Sequence, residues 1–431
     1  MKILYVLPGS GGAFYCGNCI RDVTVVRALR RLGHEVVVIP MYLPPFSDGA
    51  DIAGNSRVRY GAINVFLKQK TRFFREPRPW IERVLDSPLF LKIAARTAGS
   101  VRASGLGELT LSMLQGEDGR QAGELEKLVA LLRDAVKPDV VHLSNALLLG
   151  LVRRIKEELQ VPVFCFLQDE DTWINESGTG YIQPVWQILK EKFWDVDMFI
   201  PVSRYYGDLM RGQLDVPPEK MTVVPIGIEL DGYEEAPLSF NPPVIGFLNR
   251  ISEASGIGIL ADAFIKIKEK RRIQGLRLHV SGGRTADDKP FIKELRKKLA
   301  AHRLLRDVAF FRAFDRISRI GFFRPLSVFS VPAPGGTAFG VSLLEAFASG
   351  VPVVQPNIGA YQELVHATGG GILYEPNDAD TLSDALTSMI LDQDQAHEMG
   401  RRGRSSVHRS FSAQAMAEKL IEICGKYRVR V

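Results

Sequence analysis

The chain has 431 residues, 46% of them hydrophobic and 24% charged, with a net charge of +6. That length exceeds one ordinary core and sets an expectation of two domains in a soluble globular protein. The mild positive balance favours anionic ligands such as phosphates without calling for nucleic acid, and no apolar run reaches the roughly 18 residues that a membrane-spanning helix needs.

No secretory leader is read in the first residues, so a cytoplasmic location is expected, with peripheral membrane contact as an added possibility. The cysteines Cys16, Cys19, Cys165 and Cys424 are too few for a disulfide framework. Cys16 and Cys19 have CxxC spacing, but no second pair or nearby His completes a zinc site. They are read as small thiols beside a glycine-rich loop. No metal or redox role is expected of this pair, and no cofactor is expected of the chain.

In chain order, Lys2 to Pro8 is an apolar strand followed by Gly9-Ser10-Gly11-Gly12. A helix follows over Arg21 to Leu32, with Val25, Ala28, Leu29 and Leu32 on one face. Glu35 to Pro40 is the next strand, which makes a β-loop-α-β unit whose glycine pair lets backbone approach a ligand closely. Ala62 to Leu67 suits another strand. Lys68 to Arg83 interleaves basic side chains with Phe73, Phe74 and Trp80, which suits a membrane surface, an anionic acceptor or a solvated insertion. Helical patterns run over Ile81 to Thr97, Ala122 to Ala135 and Asn145 to Glu158.

Val161 to Leu167 is a buried strand that delivers Gln168-Asp169-Glu170-Asp171 at its C-terminal end, where open α/β sheets bind ligands. These carboxylates suit a metal, a base or a helix cap, and a polar loop is the preferred reading. Asp197 to Val202 is a strand, Ser203 to Leu214 a Ser-capped helix, and Met221 to Pro225 a last strand. The proline-rich stretch from Leu230 to Pro243 marks a domain boundary. Val244 to Leu248 then opens a second β-α-β series, with strands at Leu276 to Val280, Val308 to Phe311 and Ser327 to Val331. Further helices are expected over Gly256 to Lys268, Phe291 to His302, Ala379 to Leu391, Gln395 to Arg409 and Ala413 to Tyr427.

The stretch from Phe339 to Gln355 organises the second half. Gly340 opens a helix at Val341; Leu343, Leu344 and Phe347 form its apolar stripe, Gly350 ends it, and Val351 to Val354 is a buried strand. A glycine beside a helix N-terminus leaves backbone N–H groups free at the positive end of the dipole, which makes an anion site. A core helix merely capped by two glycines is the alternative reading.

As an ordered set, these elements resemble the family 4 glycosyltransferases of the GT-B fold. The resemblance rests on the Gly11-Gly12 turn, Gly33-His34-Glu35-Val36, Asp139-Val140-Val141-His142, and Val224-Pro225-Ile226-Gly227-Ile228. The Phe339 to Val354 block, Gly359 with Glu363, and Gly370 to Pro376 complete it. It implies an α/β chain with two Rossmann-like, doubly wound domains facing across a cleft. Residues 1–236 would form an N-terminal acceptor domain and 237–411 a nucleotide-sugar donor domain, with the helix 412–431 packing back on the first.

The implied activity is retaining, metal-independent transfer of a sugar from a nucleotide-diphosphate-sugar donor to a sugar, lipid or small-molecule acceptor. By resemblance, Arg250, Ser255 and the Gly340 and Val341 amides hold the diphosphate. Glu345 holds the ribose, Gly12 lines the cleft, Thr337 touches the donor sugar, and Gln168 and Asp169 face the reacting centre and acceptor. The chain departs from the family pattern at three places: Gln168 replaces a His, Ser255 a Lys and Thr337 a Glu. These departures motivate an alternative, a non-catalytic nucleotide-sugar or glycan-binding homologue.

Overall fold

Two parallel sheets form where the sequence has its continuous apolar runs, because strands covered by helices on both faces have no polar side. The computed structural model describes residues 1–9, 14–41, 46–47, 50–51, 106–312 and 314–428. Gly12, the basic stretch 68–83 and the elements expected beside it lie outside these residues. By contact density the described chain divides into one unit of Met1–Gly12, Asn18–Pro225 and Met416–Val431, and another of Ala13–Gly17 and Ile226–Ala415.

The first unit is built on β1 (Lys2–Leu7), β2 (Glu35–Pro40), β3 (Val140–Leu143), β4 (Val163–Leu167) and β5 (Met198–Pro201). They pair in the order β2-β1-β3-β4-β5, all parallel. Ile3 sits between Val36 and Val140, and Cys165 between Leu143 and Phe199. The chain reverses its winding between β1 and β3, so their carboxyl ends border the crevice where such sheets take ligands. Helix α1 (Gly17–Arg31) starts earlier than its apolar stripe suggests. Cys16 and Cys19, expected as free thiols, are joined in a disulfide at its start.

The expected helix over Asn145 to Glu158 is a tight 3-10 segment, Ala146–Leu151, followed by an α-helix, Val152–Leu159. Met221 to Pro225 lies beside β5 and donates two backbone bonds to it, from Thr222 to the Phe199 carbonyl and from Val224 to the Pro201 carbonyl, but forms no ladder strand. Residues from Met416 onward in the C-terminal helix, Ala413–Arg428, count with this unit. There Tyr427 packs edge-on against Phe164 and donates through its hydroxyl to the Asp197 carbonyl at 3.1 Å. Cys424 lies 3.5 Å from Nε2 of the buried His142. Burial holds that imidazole neutral, its pKa lowered to about 4.

The second unit holds β6 (Val244–Leu248), β7 (Arg277–Ser281), β8 (Val308–Phe310), β9 (Val328–Phe329), β10 (Val353–Pro356) and β11 (Gly371–Tyr374). Their order is β8-β7-β6-β9-β10-β11, again all parallel. This is the doubly wound order of dinucleotide-binding folds, and its reversal lies between β6 and β9. The loops that leave those two strands at their carboxyl ends carry Arg250 and the segment running to Gly340. Two short helices were not legible as periodic stretches: one over Arg316–Phe323, capped by Asp315, and one over Ala360–Thr368. No helix among the described residues is long and apolar enough to cross a membrane.

Candidate functional site

Each unit presents polar clusters at the carboxyl edge of its sheet. In the second unit, β6 and β9 are paired neighbours, with Phe329 opposite Gly246. Their loops therefore emerge side by side. At Gly256, a Cβ would come within 2.0 Å of the Pro332 carbonyl oxygen. Only a glycine permits this approach between the Arg250 loop and the loop after β9, and its φ of +80° adds a second reason.

Arg250 is held in a fork. Its Nε donates to Asp288 Oδ2 and its Nη2 to Asp288 Oδ1, both at 3.0 Å, and Nη2 also reaches Thr285 Oγ1 at 3.1 Å. Thr285 closes the turn by donating its N–H to Asp288 Oδ2 at 2.6 Å. Burial works to raise the Asp288 pKa, but the bonds from Arg250 and Thr285 prevail and hold it below the usual carboxylate range. The ring of Phe14 lies over the guanidinium, 5.5 Å from its centroid. Arg250 is thus pre-oriented and charge-balanced. Among the described residues its Nη1 bonds nothing, and this is the edge it can offer an anion.

Helix α6 (Val341–Ala348; α2 to α5 being Glu170–Glu176, Arg204–Leu214, Ile257–Lys270 and Arg316–Phe323) begins after Gly340, whose φ is +102°. Among the described residues, the N–H groups of Gly340 and Val341 donate to no partner, as the first turn of a helix dictates. Thr337 lies three residues earlier, half-buried, with its carbonyl accepting from Ala360 at 3.0 Å. Gly359, at φ +60°, passes so close that a Cβ would meet the Thr337 nitrogen at 2.9 Å.

Two expected ligand-holding side chains have internal partners. The Ser255 hydroxyl donates to the Ser252 carbonyl at 2.6 Å within a one-turn 3-10 helix, Glu253–Ser255, so its proton serves the loop. Glu345 is 1% exposed. Its Oε1 accepts from Arg319 Nε at 2.7 Å and from the Tyr233 hydroxyl at 2.5 Å, and its Oε2 accepts from the Tyr15 hydroxyl at 3.0 Å. A carboxylate accepts about four bonds, which leaves roughly one acceptor position unfilled. Burial first, and then the Glu345 charge, push both tyrosine pKa values well above their ordinary range, so both hydroxyls stay protonated as donors.

In the first unit, Gln168 and Asp169 follow β4. Gln168 is buried and accepts at Oε1 from Arg21 Nη1 at 3.0 Å, while its carbonyl accepts from Asn18 Nδ2 at 3.4 Å. Asp169 precedes α2 as its N-cap residue with a φ of +61°, a left-handed conformation that Asp adopts more readily than most side chains.

The expected polar loop at Asp169 to Asp171 needs correction. Glu170 is the first residue of α2 and is 1% exposed. Its Oε1 accepts from the Ala146 N–H at 3.0 Å, and burial drives its pKa up to about 7. Tyr206 has one hydroxyl proton yet faces both Glu170 Oε2 and Asp171 Oδ1 at 2.8 Å. A proton on Glu170 satisfies all three groups, with Glu170 donating to Tyr206 and Tyr206 donating to Asp171. Among the described residues no group of three or more His, Cys, Asp or Glu is arranged to hold a metal ion.

Sequence reasoning missed Arg21, Asp288, Arg319 and the two tyrosines. Arg21 alone had a signal: it stands one turn before Val25, so it places a charge on the apolar stripe of α1.

These features define a class, a pair of nucleotide-binding-type α/β units of which the second has, at its switch point, an arginine and a helix N-terminus whose first amides bond nothing among the described residues. The comparisons with known proteins name the family. The profile of "Glycosyl transferases group 1" matches residues 234–406, and that of "Glycosyl transferase 4-like domain" matches residues 23–227. The chain belongs to the family 4 glycosyltransferases of the GT-B fold.

Among its relatives is D-inositol 3-phosphate glycosyltransferase of Corynebacterium jeikeium, 28% identical over 235 residues, covering 52% of this chain and 55% of that protein. The chain thus spans about half the length of such curated relatives. Its fold is that of sucrose-phosphate synthase from Thermosynechococcus elongatus, with a TM-score of 0.74 at 16% identity and all of both chains covered. Anabaena HepE, solved with UDP, superposes with a TM-score of 0.67 at 17% identity over 99% of this chain and 100% of that one.

Proposed function

We propose that this protein is a retaining glycosyltransferase that moves a sugar from a nucleotide-diphosphate-sugar to a sugar, lipid or small-molecule acceptor without a bound metal. The observation that carries the reading is the edge of the second unit. There a pre-oriented Arg250 and the N–H groups of Gly340 and Val341, which bond nothing among the described residues, stand on loops from adjacent strands. Charge-assisted bonds to a diphosphate suit such an edge, and the α6 N-terminus adds roughly half an elementary charge of the same sign. The family membership and the UDP bound by Anabaena HepE support a nucleotide-diphosphate donor.

In this reading Arg250 Nη1 and the two amides take the diphosphate. Ser255 shapes the loop, Glu345 meets a ribose hydroxyl with its remaining lone pair, and Thr337 lies against the transferred sugar. Gln168 and Asp169 serve the reacting carbon and the acceptor. Gln168 does not titrate, so transfer relies on the leaving phosphate and on substrate alignment. Incubation with UDP-glucose, GDP-mannose and further nucleotide-sugars, with acceptor mixtures, tests it by release of nucleoside diphosphate. No release from any donor by folded protein rejects it.

A second reading is favoured by the hydroxyls of Ser255 and Thr337 and the amide of Gln168 at positions where the family carries charged or titrating groups. A non-catalytic homologue would be stabilised thermally by a nucleoside diphosphate or a sugar, yet would turn over no donor.

A further inference from the structure

We propose that Arg21 is the positioning residue for Gln168, fixing its amide so that Nε2 is presented as a hydrogen-bond donor. The inference rests on the reading of Gln168 as a residue at the reacting centre.

Arg21 is 0% exposed, and each of its hydrogen bonds among the described residues ends on an oxygen. Its Nε and Nη2 donate to Asp22 Oδ1 at 3.1 and 2.7 Å. Nη2 also donates to the Ser144 carbonyl at 2.6 Å and to Ser144 Oγ at 3.0 Å, and Nη1 donates to Gln168 Oε1 at 3.0 Å. Its carbon lies 4.7 Å from the centroid of the Phe166 ring. Asp22 is held in turn by the hydroxyls of Tyr5 at 2.8 Å and Ser144 at 2.7 Å. The cluster therefore stands on β1, α1 and the residues just after β3 and β4, at the carboxyl edge where the first sheet reverses its winding.

A guanidinium has five donors and no acceptor. Gln168 must therefore turn Oε1 toward Arg21 and Nε2 away from it, so the amide orientation is dictated by chemistry. The described residues supply no partner to that Nε2. Gln168 is thus a preset donor for an oxygen of sugar, phosphate or acceptor, and it is not a base. Desolvating a guanidinium and a carboxylate together is unfavourable compared with apolar packing of equal volume. A charged cluster held at that disadvantage at a ligand-binding edge is a mark of a working site.

Steady-state release of nucleoside diphosphate from the donor that wild type turns over best is the test. Arg21→Lys keeps the buried cation and removes the fork. It is expected to lower kcat by roughly 10- to 100-fold, the scale of a misplaced catalytic group, with donor KM within about twofold of wild type. Gln168→Ala should lower kcat similarly, and the double variant should be no slower than Gln168→Ala, as residues acting through one contact are non-additive. Full multiplication of the two losses, or wild-type kcat in Arg21→Lys while Gln168→Ala is slow, overturns the positioning role alone. Equal turnover by wild type and Gln168→Ala, or none by wild type, overturns the reading of Gln168 and this inference with it. Should Arg21→Lys not fold, Ser144→Ala loosens the same guanidinium. A several-fold kcat loss that vanishes in the Gln168→Ala background is then expected, and no loss refutes the proposal.

Discussion

The Tyr15 hydroxyl donates to Glu345 Oε2 at 3.0 Å across 330 residues of sequence. Tyr233 and Arg319 complete the enclosure from two other segments of the same unit. One buried carboxylate thereby ties the segment before α1, the segment after the last β5 neighbour, and α5 to α6. Its family-implied work on a ribose is compatible with this only through the acceptor position left over. Glu345 is a structural hub of the second unit.

The enclosure predicts a strong stability effect with a distinct pattern. Arg319→Met leaves the Glu345 charge buried with only hydroxyl partners, and the expected loss is about 3–5 kcal/mol. Adding Glu345→Gln removes the stranded charge, so the double variant should be more stable than Arg319→Met alone. Urea unfolding of Arg319→Met, Glu345→Gln, the double variant and wild type measures this. A double variant that loses the sum of both single losses would show that the pair is not coupled.

At Arg250 the expected effect falls on both binding and folding. The arginine side of the pair is one-third exposed but Asp288 is only 6% exposed, so Arg250→Ala leaves a buried carboxylate short of a partner and should lower the unfolding midpoint. The binding effect is read on the folded variant. Loss of a charge-assisted bond to a diphosphate amounts to roughly 1.5–3 kcal/mol, or about 10- to 150-fold in Kd. Calorimetric titration with the nucleoside diphosphate that best stabilises wild type reads this directly. Unchanged affinity removes Arg250 from the donor site.

Most strands of both sheets are legible in the sequence because burial on two faces forces long apolar runs, as in Val244 to Leu248 and Val163 to Leu167, whereas the edge strand Gly371–Tyr374, half-buried and opened by a glycine, is not. The turn at Gly340 and the helix it opens are legible too, since a glycine beside an apolar helical stripe marks a helix terminus. The polar partners are not. Nothing near Glu345 in sequence announces Tyr15, and Glu170 reads as part of a polar loop because Tyr206, which faces it, lies 36 residues away. The helices Arg316–Phe323 and Ala360–Thr368 span about two turns each, too short to establish a period. Arg21 was readable as an anomaly, a charge on an apolar stripe, but its meaning depends on Gln168 and Ser144 arriving from other strands.

Gly340→Ala separates backbone from side-chain contributions to the donor edge. A φ of +102° is costly for any residue with a Cβ, and that atom would also lie 3.4 Å from Leu364 Cδ1. The expected destabilisation is about 1–3 kcal/mol. The loop should relax and misdirect the Gly340 and Val341 amides, so the thermal stabilisation given by a nucleoside diphosphate should shrink. A full ligand-induced rise in Tm alongside the lower starting Tm would exclude these amides from binding.

Glu170 predicts a pH dependence whose sign follows from its surroundings. Burial raises its folded-state pKa from the ordinary 4.5 to about 7. The folded chain therefore binds more protons than the unfolded chain across that interval, and stability falls as pH rises through it. The contribution is fully present below about pH 4.5 and is lost above about pH 7, with a span on the order of 3 kcal/mol at most. Tyr206 supplies an independent reason: once Glu170 ionises, one hydroxyl proton must serve two carboxylates at 2.8 Å. Glu170→Gln is uncharged at every pH and keeps a donor toward Tyr206, so it should flatten this component of the stability profile between pH 4.5 and 7. Urea midpoints of wild type and variant, taken at half-unit pH steps, give the two slopes. Identical slopes would mean that Glu170 is ionised in the folded protein throughout, and that the Tyr206 arrangement needs a different proton.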